Sequence, residues 1–205
     1  MASTLLRTIA VLAALTLVAC GGEVPFTPLA TAARTGDLAA IDRLIDAGTD
    51  VNQPSGSHRW PPIIHAIHTG QRQALARLLQ RGASVEGQAG QSALLMASGY
   101  GDAEAVAMLF ARGVAMPDSV PAAGELIAAA IGGAWDIDHQ WSGCERHTSV
   151  AKLLVARDSD LRVVGILSPT SFARAKSTFK YRVARWSAQR RGCDELLRVV
   201  GRGEG

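Results

Sequence analysis

The 205-residue chain is 48% apolar and 19% charged, with aromatics at 5% and 21 glycines. That composition suits one folded domain, excludes a disordered or fibrous chain, and fits thin helices packed in a solenoid better than a broad globular core. Charge is unevenly placed: residues 1–161 hold 11 Lys+Arg against 15 Asp+Glu, net −4, and residues 162–205 hold 10 against 3, net +7. The basic end reads either as a solvated terminal face or as a surface for an acidic partner or anionic head groups.

The first twenty residues, MASTLLRTIAVLAALTLVAC, carry a lone Arg7 and then a charge-free apolar run from Thr8 to Ala19. The run is too short to read as a membrane span. Its end, Leu17-Val18-Ala19-Cys20, resembles the lipobox of bacterial lipoproteins. The resemblance implies a signal peptide at 1–19, cleavage before Cys20 and diacylglyceryl on the Cys20 thiol, with anchoring by acyl chains at roughly 0.8 kcal/mol per buried CH₂. An ordinary secretory leader with an incidental Cys20 is the alternative, and it also places the chain outside the cytoplasm. Either way nucleic acid is not expected as a partner. Gly21 rather than Asp follows the cysteine, which by the sorting habit of enterobacterial lipoproteins implies a periplasm-facing protein of the outer membrane. Residues 20–26 form a short linker; Gly21 to Phe26 reach on the order of 20 Å when extended, so the folded part of the chain stands close to the bilayer.

From Thr27 to Asn52 the chain reads TPLATAARTGDLAAIDRLIDAGTDVN, and the pattern returns 34 and then 31 residues later. Pro28 opens a helix at its first turn, where a missing N–H costs nothing. Leu29, Ala32 and Ala33 face inward, Gly36 reverses the chain, and Leu38, Ile41, Leu44 and Ile45 form the buried stripe of a second helix closed by Gly48. The second copy has Pro61-Pro62-Ile63, Ala66, Gly70, Leu78-Leu79, Gly82 and Val85; the third has Ser92-Ala93-Leu94, Ala97, Gly101, Leu109-Phe110, Gly113 and Met116. A fourth begins at Leu126, with Ala129 and Gly133, but its Leu153-Leu154 pair comes twelve residues late. The excess is an insertion at about 134–146 that holds Trp135, His139, Trp141 and Cys144. Beyond Leu161 the register weakens. Ser168-Pro169-Thr170 reads as a helix start, a basic run leads to Arg191, and Gly192 to Val200 reads as the turn and second helix of a degenerate closing repeat.

These copies resemble ankyrin repeats. The resemblance implies an all-α solenoid of about four to five helix-turn-helix repeats with short β-fingers, four of them over residues 27–161 and a degenerate one within a basic helical cap at 162–205. One departure is consistent: the histidine of the family's Thr-Pro-Leu-His start is replaced by Ala30, Ile64, Leu95 and Ile127. In the family that imidazole ties neighbouring repeats together, so other clamps are expected here.

The chain has no Gly-x-Ser-x-Gly elbow, no phosphate-cradling glycine loop and no His-Glu-x-x-His pair, so an enzyme is not expected and no cofactor is implied. Cys144 and Cys193 lie near the starts of second helices in consecutive repeats, and outside the cytoplasm a disulfide between them is expected. The rival is a metal site from His139, Cys144, His147 and Cys193, whose spacing matches no compact zinc motif; His58, His65 and His68 form a weaker rival set. In the family the variable first-helix positions and the finger tips form a concave recognition surface. By register these are Thr31, Arg34, His65, His68, Met96 and Tyr100, with Arg59 and Trp60 from the first finger, and Trp135 and Trp141 of the insertion at the far end. Trp, Tyr, Met and Arg are enriched at interface centres. The outer face, with Asp42, Arg72 and Glu104, is expected to be ordinary solvated charge. The function these readings imply is a monomeric, membrane-anchored module that binds a protein partner in the cell envelope, as an adaptor or as an inhibitor of the immunity-protein kind. The alternative is a metal- or redox-binding lipoprotein built on the Cys/His cluster.

Overall fold

The computed structural model describes residues 25–117, 119–133, 143–163 and 179–203. Within them lie ten helices: α1 (Pro28–Thr35), α2 (Leu38–Asp46), α3 (Pro62–His68), α4 (Arg72–Gln80), α5 (Gly87–Gly99), α6 (Ala103–Ala111), α7 (Val120–Gly132), α8 (Cys144–Val163), α9 (Phe179–Arg190) and α10 (Asp194–Gly203). They stack in two rows. The odd-numbered helices pack on one another in sequence, the even-numbered ones do the same, and each odd helix also packs on the even helix that follows it.

The first pair shows why the sequence folds this way. Thr27 accepts the Ala30 N–H at 3.3 Å and Pro28 starts α1, so the orphan donors at that end are reduced. Gly36 ends α1 at φ +73, a left-handed conformation that costs an L side chain about 1–2 kcal/mol. Asp37 then caps α2 by accepting the Ala40 N–H at 2.9 Å. The reversal is locked by the Asp37 N–H donating to Ala32 O at 3.0 Å. The same bond recurs from Gln71 to Ala66, Asp102 to Ala97 and Cys193 to Ala188, at 2.8, 2.9 and 3.1 Å. Cys193 therefore holds the turn position of Asp37 and Asp102, and α9 with α10 repeats the helix-turn-helix geometry of the earlier pairs.

Two features depart from the sequence reading. Helices α5 and α7 begin at Gly87 and Val120, upstream of Ser92 and Leu126. The positions equivalent to Pro28 and Pro62 are Ala93 and Glu125, so no proline blocks the helix there and it extends backwards through residues that the repeat pattern assigns to fingers. Among the described residues the only β pairing is a single antiparallel bridge, Ser55 to Trp60, in the first finger. Second, α8 starts at Cys144, so Cys144 to Arg146 belong to its first turn and not to the insertion. Residues 134–142, including Trp135, His139 and Trp141, lie outside the described residues, as do Cys20 and residues 164–178.

Apolar side chains from both rows form one continuous core, with Leu29, Ile41, Ile63, Leu75, Leu78, Leu94, Leu109, Leu126 and Ile131 each at most 2% exposed. Three residues that replace the family histidine, Ala30, Ile64 and Ile127, are buried with them. Polar clamps supply the ties between repeats. Thr27 N–H donates to Ser55 Oγ at 2.8 Å, Ser84 N–H to Asn52 Oδ1 at 2.8 Å, and the Arg112 guanidinium to Leu79 O at 2.7 Å. On the outer row, Arg77 of α4 and Arg81 at its C-terminal cap pair with Asp42 and Asp46 of α2, and Arg72 Nε donates to the nearly buried Asp102 at 2.8 Å. That bond raises the Arg72 pKa above its ordinary value. Asp42 and Arg72 are thus inter-repeat links, not the plain solvated charges expected; Glu104 is 68% exposed, with Arg72 Nε at 3.5 Å.

Candidate functional site: the groove beside the first finger

The first finger turns through Gly56, Ser57, His58 and Arg59 between the paired residues Ser55 and Trp60, whose N–H groups donate to each other's carbonyls at 2.9 and 3.1 Å. Arg59 takes φ +52, the one left-handed non-glycine among the described residues. The turn lays Trp60 across the odd-helix row. His58 stacks on the Trp60 ring at 4.8 Å, while His65 and His68 of α3 meet it edge-on at 5.7 and 5.2 Å. The chain of rings continues from His65 to Phe26 at 5.1 Å and from His68 to Tyr100 at 5.8 Å. The Arg34 guanidinium lies 4.5 Å from the centre of the Phe26 ring, within cation–π range.

His65 is 1% exposed and Tyr100 4%. His65 lies beneath the groove surface and lines neither cavity of the groove, whereas Tyr100, though nearly buried, reaches the groove floor. His65 Nε2–H donates to Ser55 O at 3.3 Å, and Nδ1 is buried without a hydrogen-bond partner. Burial pushes the His65 pKa down; the Ser55 carbonyl opposes this, and the positive charges of Arg34 and His68 add to it. The Tyr100 hydroxyl is 2.5 Å from His68 Nδ1, which ties α5 to α3.

Trp60 and His58 form a ridge between two cavities. The larger, about 410 Å³, has Leu95 and Met96 of α5 and the capping Tyr100 as its floor, Ala129 and Glu125 of α7 opposite, and Lys180 of α9 at its end. Lys180 and Glu125 are ion-paired. The smaller, about 250 Å³, lies between Phe26, Arg34, Ser57, His58, Trp60 and His68. Of the positions transferred from the family, the structure brings Arg34, Trp60, His65, His68, Met96 and Tyr100 together, and Arg59 stands at the exposed finger tip. Thr31 is exposed on α1 and lines neither cavity.

Several groove residues escape sequence reasoning. Phe26 reads as linker, although an apolar residue just before a helix cap is a recognised packing position. Leu95 lines the groove where the family histidine would stand, and no local signal joins Lys180 to Glu125.

At the far end, Cys144 and Cys193 are joined, with Sγ atoms 2.02 Å apart and Cα atoms 5.3 Å apart, linking the first turn of α8 to the start of α10. Both thiols are thereby used. His147 Nδ1–H donates to Ala130 O at 2.9 Å, and among the described residues no group of three His, Cys, Asp or Glu side chains is placed to hold a metal ion. His58, His65 and His68 instead engage Trp60, Ser55 and Tyr100.

Residues 29–120 match the family model of ankyrin repeats in three copies. No curated protein sequence matches the chain. Among solved structures, the human ASB11 ankyrin repeat domain is 18% identical with a TM-score of 0.47, covering 87% of this chain and 84% of that one. An ankyrin repeat domain from Acinetobacter baumannii AYE is 21% identical with a TM-score of 0.53, covering 84% of this chain and 78% of that one. At that identity the second likeness concerns the fold, and it agrees with the two rows of helices and the repeated turn bond: residues 29–120 are ankyrin repeats, and the chain folds as an ankyrin-repeat solenoid.

Proposed function

We propose that this chain is a lipid-anchored module of the bacterial cell envelope that holds a protein partner in the groove beside Trp60, as an adaptor or as an inhibitor. Ankyrin repeats generally mediate protein–protein interaction, and the observation that carries the reading here is the groove: a cavity of about 410 Å³ lined by Leu95 and by Trp60 and Met96, which pack against the core on one side and face the cavity on the other. A rigid surface with an amphipathic aromatic at its centre binds without a large ordering cost. The envelope location rests on the Leu17-Val18-Ala19-Cys20 sequence, and among the described residues no helix is long and apolar enough to cross a membrane. In this reading Cys20 is the attachment point, and the module acts as a monomer within reach of the bilayer. The metal-binding alternative loses its sulfur ligands to the bond between Cys144 and Cys193.

The test combines both halves. Cys20→Ser abolishes labelling with palmitate, and labelling that persists removes the anchor. A partner crosslinked in intact envelopes is lost from Trp60→Ala and retained by Ala107→Glu on the exposed side of α6; retention by both variants removes the groove.

A further inference from the structure

The geometry points to a specific class of occupant: an extended segment of the partner that sets a large apolar side chain one or two positions from a carboxylate. This rests on the reading of the groove as a protein-binding surface and adds the chemistry of what it binds.

Two observations carry it. The larger cavity is apolar at its floor and wide enough for a leucine- or phenylalanine-sized side chain, and Glu125, the one acidic side chain among its described lining residues, is engaged by Lys180. The smaller cavity has no acidic side chain among its described lining residues, yet it presents Arg34, His58 and His68. Arg34, His58 and Arg59 make no ion pair with any described residue, although acidic side chains elsewhere in the solenoid are drawn into inter-repeat pairs. Arg34 is half-buried against Phe26, where a guanidinium loses water and interacts more strongly with an incoming carboxylate. Arg59 is kept in a left-handed conformation where glycine would be unstrained, and such strain clusters at functional positions. Because the cavities share His58 and Trp60, one short segment spans both. An extended chain advances about 3.3 Å per residue, so a carboxylate one or two positions from the apolar anchor falls on the Arg34 side of the indole.

The experiment is selection of a displayed random heptapeptide library against the full chain in detergent, followed by fluorescence-polarisation titration of the enriched peptides. Enrichment of Leu, Ile, Met or Phe beside Asp or Glu is expected. Arg34→Glu should weaken those peptides about tenfold, and Leu95→Ala or Trp60→Ala about thirtyfold, with circular dichroism spectra unchanged. Raising the salt should weaken wild-type binding but not that of Arg34→Glu, where screening relieves the repulsion between two carboxylates. No enrichment, enrichment of basic or uncharged peptides, or binding indifferent to Arg34→Glu overturns the acidic occupant. If binding is still lost in Leu95→Ala, the groove itself stands as the docking site; if neither groove variant weakens binding, the groove reading fails as well. A fatty acid extracted with the protein, or a dimer that dissociates on Trp60→Ala, would assign the cavity to a lipid chain or a second copy and overturn the proposal.

Discussion

Gly90 lies inside α5, the helix that floors the groove, and replacing it by alanine separates propensity from packing. Alanine is the better helix former by about 1 kcal/mol, so the local sequence alone favours a gain. In the structure a Cβ at Gly90 would stand 1.9 Å from the carbonyl oxygen of Val85 and 3.3 Å from Val114 Cγ2. The first is backbone and cannot swing aside. Relieving the clash requires α5 or the loop before it to move, at a cost near the top of the overpacking range, about 3 kcal/mol. The net expectation for Gly90→Ala is a loss of about 2 kcal/mol, or roughly 4–8 °C in Tm for a domain of this size. Gly201 in α10 has no heavy atom within 4 Å of its would-be Cβ, so Gly201→Ala should gain about 0.5 kcal/mol. Thermal and urea unfolding followed by circular dichroism read both variants. Stabilisation by Gly90→Ala would refute the backward extension of α5 onto Val85, and with it the position of the groove floor.

Three other perturbations have defined outcomes. Burial depresses the pKa of folded His65 below the ordinary 6.5, so the unfolded chain takes up that proton first as pH falls; stability is full above about 6.5 and is lost as pH drops through the folded value, and His65→Leu should flatten that part of the urea-stability profile relative to wild type. Arg59→Gly removes a left-handed arginine at φ +52 and should raise stability by about 1 kcal/mol while weakening acidic ligands, whereas a fall in Tm would mean the turn differs from the one described. Cys193→Ser opens a bond with a sequence separation of 49 and should cost about 3–4 kcal/mol, with faster hydrogen exchange in α9 and α10 than in α1 to α4; uniform exchange would show that the bond does not hold the last repeat in place.

Helix pairing is legible wherever the sequence carries positive markers. Pro28, Pro62, the turn glycines and the leucine stripes each impose a local conformation, and repetition at a nearly constant period makes them reinforce one another. The upstream growth of α5 and α7 is not legible, because it comes from the absence of proline at Ala93 and Glu125. The closing repeat is readable at Gly192 and Cys193, which keep the turn geometry, and unreadable over α9, whose basic residues conceal the small buried pair Ala184 and Ala188. In the groove, register assigns Arg34, Trp60, His68 and Met96 to one face. It does not separate surface from packing: His65 and Tyr100 occupy variable positions, yet both are almost wholly buried, and only Tyr100 reaches the cavity. The pairs from Arg77 and Arg81 to Asp42 and Asp46 are equally hidden, since they depend on how far consecutive repeats rotate.

The central claim, that this solenoid binds its partner along the odd-helix groove, is tested most directly by site-specific photocrosslinking in intact envelopes. A photoreactive residue is placed at His58 or Ser92 on the groove and, in parallel, at Gln73 or Ala107 on the exposed surface of the even-helix row. The account predicts a discrete adduct from His58 and Ser92, competed by the selected acidic peptide, and none from Gln73 or Ala107. Adducts confined to Gln73 and Ala107 would contradict it.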